Sequence, residues 1–318
     1  MRIVFWGSAE FSVPILEQIY FSTHKIVCVV TSKEKPSGRG LKIKPNAVYE
    51  KATQLGIKTI APANPNTEEV YKFLATLEPE VCVLASYGYI IKEPILSLPP
   101  KGFINVHPSL LPKYRGPAPI QRVLINGEKV TGVTTFFMNA GIDSGNIILQ
   151  KAVEIGLDET YDELRDRLAK LGAELALETL ELIDKNFPII TRAQNECEKS
   201  YAPKIKKEEC QISWERSKFE IHNLIRGLSR EPGAFTYFRG RRVKILKTRV
   251  PEDLLSFPAK NTNQYGGIIP HNKRLFVSTQ DSYLEILSLQ VEGGKVISAL
   301  DFINGQRLTP EDYFEYRA

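Results

Sequence analysis

Residues 2–7 (RIVFWG), 25–31 (KIVCVVT), 80–86 (EVCVLAS) and 102–107 (GFINVH) are apolar at almost every position, and amphipathic helical patterns over 12–20, 46–56 and 67–77 separate them. A strand with no polar face must be covered on both sides, which is the condition of a parallel sheet flanked by crossover helices. The alternation predicts an α/β fold, doubly wound, with a mostly parallel, Rossmann-like sheet. Two further strands are expected over 132–138 and 145–153. Leu164, Leu168, Leu171, Leu175 and Leu182 then fall at helical spacing, so one long amphipathic helix is expected over 159–184. After Lys185 the periodicity stops, and an extended stretch with Pro188 and Pro203 follows. Beyond it a helix over 217–228 precedes short strands over 234–238, 242–247, 266–269, 275–278, 283–290 and 296–303. Short strands with Gly and Asn turns point to a small C-terminal β-barrel of the oligonucleotide-binding type (OB-like). The expected organisation is a first domain over 1–185, a linker over 186–206 and a barrel domain over 207–318, and 318 residues leave room for two such cores.

Composition narrows the function classes. With 42% hydrophobic and 25% charged residues the chain is ordinarily globular. No apolar run approaches the roughly 18 residues that span a bilayer, so no membrane partner is expected. With a strand already at Arg2–Gly7, no signal or transit peptide is expected. Cys28, Cys82, Cys197 and Cys210 lack CxxC spacing and read as reduced thiols of a cytoplasmic protein, expected to be a monomer. The net charge of +5 is unevenly spread. Residues 1–203 carry 23 basic and 23 acidic side chains, 204–249 carry 13 and 5, and 250–318 carry 6 and 9. A local net of +8 fits either a polyanionic partner such as nucleic acid or a solvated basic face.

In an open parallel sheet the chemistry sits beyond the carboxyl ends of the strands. The first such end, Gly7-Ser8-Ala9-Glu10-Phe11, lacks G-x-G-x-x-G, and no Walker A loop occurs, so neither a nicotinamide nor a flavin cofactor is expected. None of the four histidines has metal-ligand spacing, so no metal is expected. Asn105 and His107, two apart on a strand end, point to one side, where a carboxamide and an imidazole can both donate to a developing oxyanion. Pro108 and Pro112 would hold the following loop extended. Asp143 lies in a glycine-bracketed turn between two expected strands, where a turn-forming role and a chemical one are both open.

Three stretches together resemble the 10-formyltetrahydrofolate-dependent formyltransferase family. They are Asn105-x-His107-x-Ser109-Leu110-Leu111-Pro112, Tyr114-Arg115-Gly116-Pro117-Ala118-Pro119-Ile120-Gln121 and Gly141-Ile142-Asp143-Ser144-Gly145. Residues 3–11 (IVFWGSAEF), Ser37-Gly38-Arg39-Gly40, 212–214 (ISW), 221–228 (IHNLIRGL) and Pro232-Gly233-Ala234 are similar to the branch that acts on methionyl-tRNA. The resemblance covers essentially the whole chain. It departs from the family's pattern at Pro108, where many relatives carry Gly, and at Arg230-Glu231, where many carry Pro-Trp.

The resemblance implies transfer of a formyl group from 10-formyltetrahydrofolate, a co-substrate, to the α-amine of methionyl initiator tRNA for translation initiation. It makes Asn105, His107 and Asp143 the catalytic residues, Ser109, Leu110, Leu111 and Pro112 the folate-contacting loop, and 85–89 a wall for the pterin. The loop over 32–45, with Lys33, Lys35, Arg39, Lys42 and Lys44 against Glu34 alone, reads by itself as a solvated loop. In the family it meets the tRNA acceptor end, so Arg39 and Lys42 join Lys206, Lys207 and Arg241 as expected tRNA contacts. Lys204, Arg226, Arg239, Arg242 and Lys244 extend the set. Phe235, Tyr237 and Phe238 fit either base stacking or core packing. A related formyl hydrolase, a transferase acting on a sugar nucleotide or purine precursor, and a non-enzymatic RNA-binding protein are the rival readings.

Overall fold

β1 (Arg2–Gly7) is the centre from which the first sheet is wound. It pairs in parallel with β2 (Lys25–Val30) on one side, which is the register expected when α1 (Ser12–Tyr20) crosses over between them. The computed structural model describes residues 1–33, 35–37, 42–251 and 264–317, with 35–37 and 42–44 given by backbone alone. In that backbone β3 (Lys35–Ser37) pairs antiparallel with β4 (Lys42–Lys44). α2 (Ala47–Gln54) follows, capped by Asn46, whose side chain accepts from Tyr49 N, and β5 (Thr59–Ile60) then adds to β2. α3 (Glu68–Ala75), capped by Thr67, carries the chain back across β1 to β6 (Val81–Ala85) and on to β7 (Phe103–His107).

The sheet order is β5-β2-β1-β6-β7, with β8 (Val130–Phe137) and β9 (Ile147–Glu154) added antiparallel at the β7 edge. The winding reverses between β1 and β6, and in such a sheet the crevice opens outside the carboxyl ends at that point. Every residue of β6 and β7 is buried, as continuous apolar runs require when both faces are covered. Val4, Trp6, Cys28, Val30, Leu74, Cys82, Leu84 and Phe103 share one apolar cluster. Burial pushes the thiols of Cys28 and Cys82 up to about 11 and about 12, which makes them packing groups and not nucleophiles. Between β7 and β8 lies α4 (Pro119–Ile125), and after β9 comes the long α5 (Tyr161–Asn186) that the leucine spacing predicts.

The chain divides into two units by its internal contacts. One comprises 1–119, 130–154 and 165–203, the other 120–129, 155–164 and 204–318. In the second unit α6 (Lys218–Gly227) starts at a reciprocal capping box between Ser217 and Glu220. It leads to an antiparallel sheet of β10 (Ala234–Phe238), β11 (Arg241–Arg249), β12 (Ile268–His271), β13 (Arg274–Ser278), β14 (Tyr283–Val291) and β15 (Val296–Ser298). The order is β10-β11-β14-β13-β12, with β15 on β14. The C-terminal stretch closes this sheet into a barrel. Glu315 exchanges backbone hydrogen bonds with Tyr237 on β10, while Phe314 N donates to Gly266 O and Ile268 N to Asp312 O on the β12 side. Trp214, Phe238, Phe302 and Phe314 pack at the closure, with Trp214 stacked on Phe314 at 5.7 Å.

One expected element changes. The strand predicted over 296–303 ends at Ser298, and Ala299–Gln306 is α7, because Ser298 and Asp301 form a second reciprocal capping box that starts a helix. Among the described residues no helix is long and apolar enough to cross a membrane.

Candidate active site

Asn105 and His107 lie two residues apart on β7, so both side chains leave the same face of the strand at its carboxyl end. Asp143 approaches them from the loop between β8 and β9. Its backbone is in the left-handed region (φ +46°), where short polar side chains are tolerated best. Asn105 Nδ2 donates to Asp143 Oδ1 at 3.2 Å, and His107 Nδ1 stands 3.7 Å from Asp143 Oδ2. The structure thus brings together three polar residues that are up to 38 positions apart in sequence. All three are largely enclosed, and Asn105 and His107 are buried.

The imidazole is oriented by the backbone. His107 Nε2 lies 2.9 Å from the carbonyl oxygen of Tyr114, and a carbonyl only accepts, so Nε2 carries a proton. The nitrogen that faces the carboxylate is therefore Nδ1, and a proton on it converts that contact into an ion pair. Gly116 N donates to Asp143 Oδ2 at 2.8 Å, and Gly116 holds φ +118°. Segment 114–116 thus holds the histidine with a carbonyl and the aspartate with an amide. A methyl group at Gly116 would reach the Ala202 carbonyl at 3.0 Å, which leaves glycine as the residue that fits.

The loop over 109–112, which the resemblance assigns to folate, is held by hydrogen bonds to its neighbours. Ser109 Oγ donates to Lys113 O, Thr134 Oγ1 donates to Ser109 O, and Gln150 Nε2 donates to Leu111 O and Thr134 Oγ1. Ser109 is fully buried and Leu111 packs with Phe136 and Ile147, so these two shape the loop. Leu110 and Pro112 are half-buried and lie at its accessible part. In the expected pterin wall, Tyr87 meets Trp6 edge-on at 5.2 Å and Tyr89 at 5.4 Å. Its buried hydroxyl has no hydrogen-bond partner among the described residues.

Sequence reasoning gave no role to the residues that grip this site from outside. Arg115 is only 2% exposed; its Nε and Nη2 donate to Gln194 Oε1 at 2.9 and 2.7 Å, and its guanidinium pairs with Glu196 at 2.8 Å. That pairing, with Lys199 second, holds the Glu196 carboxyl down at about 2. Ser200 accepts from Tyr114 N through Oγ and from Arg115 N through its carbonyl. The stretch 194–202 follows α5 as irregular chain with a single 3-10 turn at Glu196–Glu198 and no hydrophobic period, so nothing in its sequence signalled this contact.

The expected nucleic-acid residues fall into distinct surroundings. Lys206, Lys207 and Arg241 are exposed, and Arg241 donates only to Glu292 O among the bonds described. Arg226 is buried and donates to the carbonyls of Gly156 and Glu159, which makes it a structural residue. Arg239 is held by Asp312 through two hydrogen bonds, and Arg242 lies over the Phe235 ring at 3.8 Å. Phe235 and Phe238 belong to the core and Tyr237 packs against it, which favours packing over stacking. Lys42 is placed by its backbone in β4, and Arg39 lies outside the described residues. Among the described residues no cluster of three or more His, Cys, Asp or Glu could hold a metal ion.

Comparison with known proteins adds independent findings. Residues 1–180 match the family model described as formyl transferase, and residues 204–307 match the model of the formyl transferase C-terminal domain. The chain is similar to the methionyl-tRNA formyltransferase of Dictyoglomus thermophilum, 42% identical over 318 residues, with 99% of this chain and 100% of that one covered. It is also similar to the enzyme of the same name from Alkaliphilus oremlandii, 42% identical with 97% of each chain covered. Among solved structures, the N-formyltransferase of Helicobacter canadensis, crystallised with folinic acid and dTDP-3-aminofucose, aligns with a TM-score of 0.68. The alignment covers 89% of this chain and 97% of that one, and the 23% identity makes it evidence about the fold.

Proposed function

Because the chain belongs to the methionyl-tRNA formyltransferase family, we propose that its Asn105–His107–Asp143 site moves a formyl group from 10-formyltetrahydrofolate to the α-amine of methionine esterified to initiator tRNA. The observation that carries the site reading is the convergence of Asn105 and His107 on one carboxylate at the carboxyl end of β7.

The chemistry follows from what each atom is free to do. The amine nitrogen attacks the formyl carbon, negative charge grows on the formyl oxygen, the bond from carbon to N10 breaks, and a proton leaves the attacking nitrogen for the folate. A carboxamide has two N–H bonds. One of those on Asn105 goes to Asp143, and the other remains for the oxyanion. Since His107 Nε2 is committed to the Tyr114 carbonyl, Nδ1 is the ring atom that supplies a charge-assisted donor, next to the carboxylate that stabilises it. Asp143, anchored by Gly116 N, serves as the proton acceptor for the incoming amine through water. The hydrogen-bonded 109–112 loop beside the trio supports a folate contact there, made by Leu110 and Pro112, with Ser109 and Leu111 as its frame.

The exposed basic residues of 204–249, Lys206, Lys207 and Arg241 among them, supply phosphate contacts, joined by Arg39 and Lys42 from the first unit. The test is one assay with charged initiator tRNA and 10-formyltetrahydrofolate. Formyl-methionyl-tRNA should appear, and Asn105→Ala and His107→Ala should each lower turnover by about a hundredfold or more while folate affinity stays within a few-fold. Free formate as the product would replace this reading with a hydrolase, and near-normal turnover in either variant would remove the site assignment.

A further inference from the structure

Arg115 is a buried cation whose role the transfer chemistry does not use, although it sits in the loop that carries the Tyr114 carbonyl and the Gly116 amide. Its side chain turns away from the trio. Nε and Nη2 both end on Gln194 Oε1, at 2.9 and 2.7 Å, in a forked contact that holds the carboxamide oxygen in place. With its oxygen so held, the amide nitrogen of Gln194 must present both N–H bonds in the opposite direction. They reach the carbonyl oxygens of Asp143 and Gly145, each at 2.8 Å. The two carbonyls flank Ser144, so Gln194 pinches the turn on which Asp143 holds its left-handed backbone.

The turn is gripped independently at its other end. Asn139 Oδ1 accepts from Gly141 N at 3.0 Å and from Ser144 Oγ at 2.9 Å. Among the described residues, Gln194 supplies the hydrogen bonds that reach the carbonyls of Asp143 and Gly145, and a left-handed aspartate is costly to maintain. Cation, carboxamide and turn form a line of directional contacts that ends on the catalytic carboxylate.

We propose that Arg115 and Gln194 are positioning residues for the formyl transfer, acting through the backbone of Asp143. Arg115 orients the Gln194 amide, and the amide sets the turn so that Asp143 meets Gly116 N, Asn105 and His107 together. This rests on the functional reading above, because it needs Asp143 to act in the reaction.

Gln194→Glu separates positioning from fold-holding. A glutamate keeps an acceptor for Arg115 and adds charge to it, so the clasp from Arg115 survives, while both donors to the turn are lost and replaced by carboxylate oxygen facing two carbonyls. The expected result with formyl acceptor and donor both varied is a fall in kcat of tenfold or more, with both KM values within threefold and the variant still fully folded at the assay temperature. Gln194→Ala should show the same kcat loss, and Arg115→Lys, which retains the charge but not the fork, should lie between it and the wild type. Wild-type kcat in Gln194→Glu overturns the proposal, as does a loss of activity in both 194 variants that only follows a loss of folded protein. A wild-type enzyme that makes no formyl-methionyl-tRNA fails the functional reading itself. An active wild type with unaffected 194 variants fails only the relay.

Discussion

His107 presents Nδ1 to Asp143 Oδ2 at 3.7 Å while its Nε2 donates to the Tyr114 carbonyl at 2.9 Å. The ring is therefore oriented by main chain, and Asp143 contributes charge without being needed to aim the imidazole. This differs from a catalytic triad, where a carboxylate fixes the tautomer and the orientation of its histidine.

Asp143→Asn should expose that separation. The carboxamide oxygen can still accept from Gly116 N, and His107 stays on Tyr114, so the protein should stay folded, with the unfolding temperature lowered only by the acceptor that Asn105 Nδ2 loses. Without the negative charge, both the proton acceptor and the stabilisation of a charged His107 are lost, and kcat should fall by about 10²–10⁴-fold. Steady-state kinetics with both substrates measures this; a kcat within threefold of wild type would show that the carboxylate only shapes the turn.

Arg241 and Arg226, both expected from the sequence to meet tRNA, should separate on substitution. Arg241 is exposed at the start of β11, so Arg241→Ala should leave stability unchanged and weaken tRNA binding. It should also make the slope of log affinity against log salt shallower by about one unit, the mark of one lost phosphate contact. Arg226→Ala should leave the slope alone and cost about 1–3 kcal/mol of stability, because the Gly156 and Glu159 carbonyls lose their donor. Binding titrations at several salt concentrations, together with urea unfolding, distinguish the pair. Equal salt slopes for wild type and Arg241→Ala would take Arg241 out of the interface.

The strands that carry the site were legible because burial on both faces writes itself into sequence: 102–107 could hardly be anything but a buried strand, and β7 occupies 103–107. Asn105 and His107 stood out as the two polar breaks in it. Asp143 did not, since an aspartate between glycines is ordinary turn chemistry, and only the family resemblance joined it to the other two. The grip of Gln194 and Ser200 left no trace at all. Their partners lie 79 and 86 residues away, and an irregular segment that is held by polar bonds has no hydrophobic period to read. α7 was misread for a different reason: 296–303 is a short, mostly apolar run containing Val296, Ile297 and Ile303, which suits a strand, and the Ser298–Asp301 capping box starts a helix inside it.

The outer clasp should weaken in acid. Arg115, then Lys199, holds the Glu196 carboxyl at about 2, below its ordinary value near 4.3. A depressed carboxylate contributes stability above the unfolded pKa, and that contribution is lost as pH falls from about 4.5 toward about 2. Glu196→Gln should therefore unfold at a lower denaturant concentration than wild type at pH 6, and the gap should shrink steadily below about pH 4.5, closing only as pH passes about 2. The gap should be small, since Glu196 is solvent-exposed and screened. A gap that is constant across this range would mean that Glu196 contributes packing and no charge.

His222 sets a second loss of stability in acid, at higher pH and in the other unit. Burial, with Arg226 adding to it, lowers its pKa below the usual histidine value, against the opposing pull of the Leu157 carbonyl and Asp158. The folded protein then resists a proton that the unfolded chain accepts, so stability should drop as pH falls below about 6.5 and level off once the folded pKa is passed. His222→Gln retains groups able to reach Thr248 and the Leu157 carbonyl and has no titration in this range. Thermal unfolding from pH 8 to pH 5.5 should accordingly show a shallower fall in the variant. Parallel curves would assign the loss to other groups.

Gly145 tests whether the placement of the Asp143 turn, rather than its composition, sets the rate. A methyl group there would land on the carbonyl oxygen of Phe137, main chain that cannot rotate aside, and close to the Phe136 ring. Gly145→Ala must therefore move either the end of β8 or the turn, and the turn is held by fewer bonds. A shift of about 1 Å at a reacting group can cost about a hundredfold in rate. The matched control is Gly141→Ala, whose methyl clashes with the Ser144 hydroxyl, a side chain that can rotate at the loss of its bond to Asn139, and makes only ordinary contact at 3.4 Å with Ser144 Cβ and Asn139 Oδ1. Turnover should drop by at least tenfold for Gly145→Ala and stay within threefold for Gly141→Ala, with the added methyl the same in both. If the two variants turn over alike, the carboxylate reaches its position by rotating its own side chain, and the left-handed turn at Asp143 has no part in the rate.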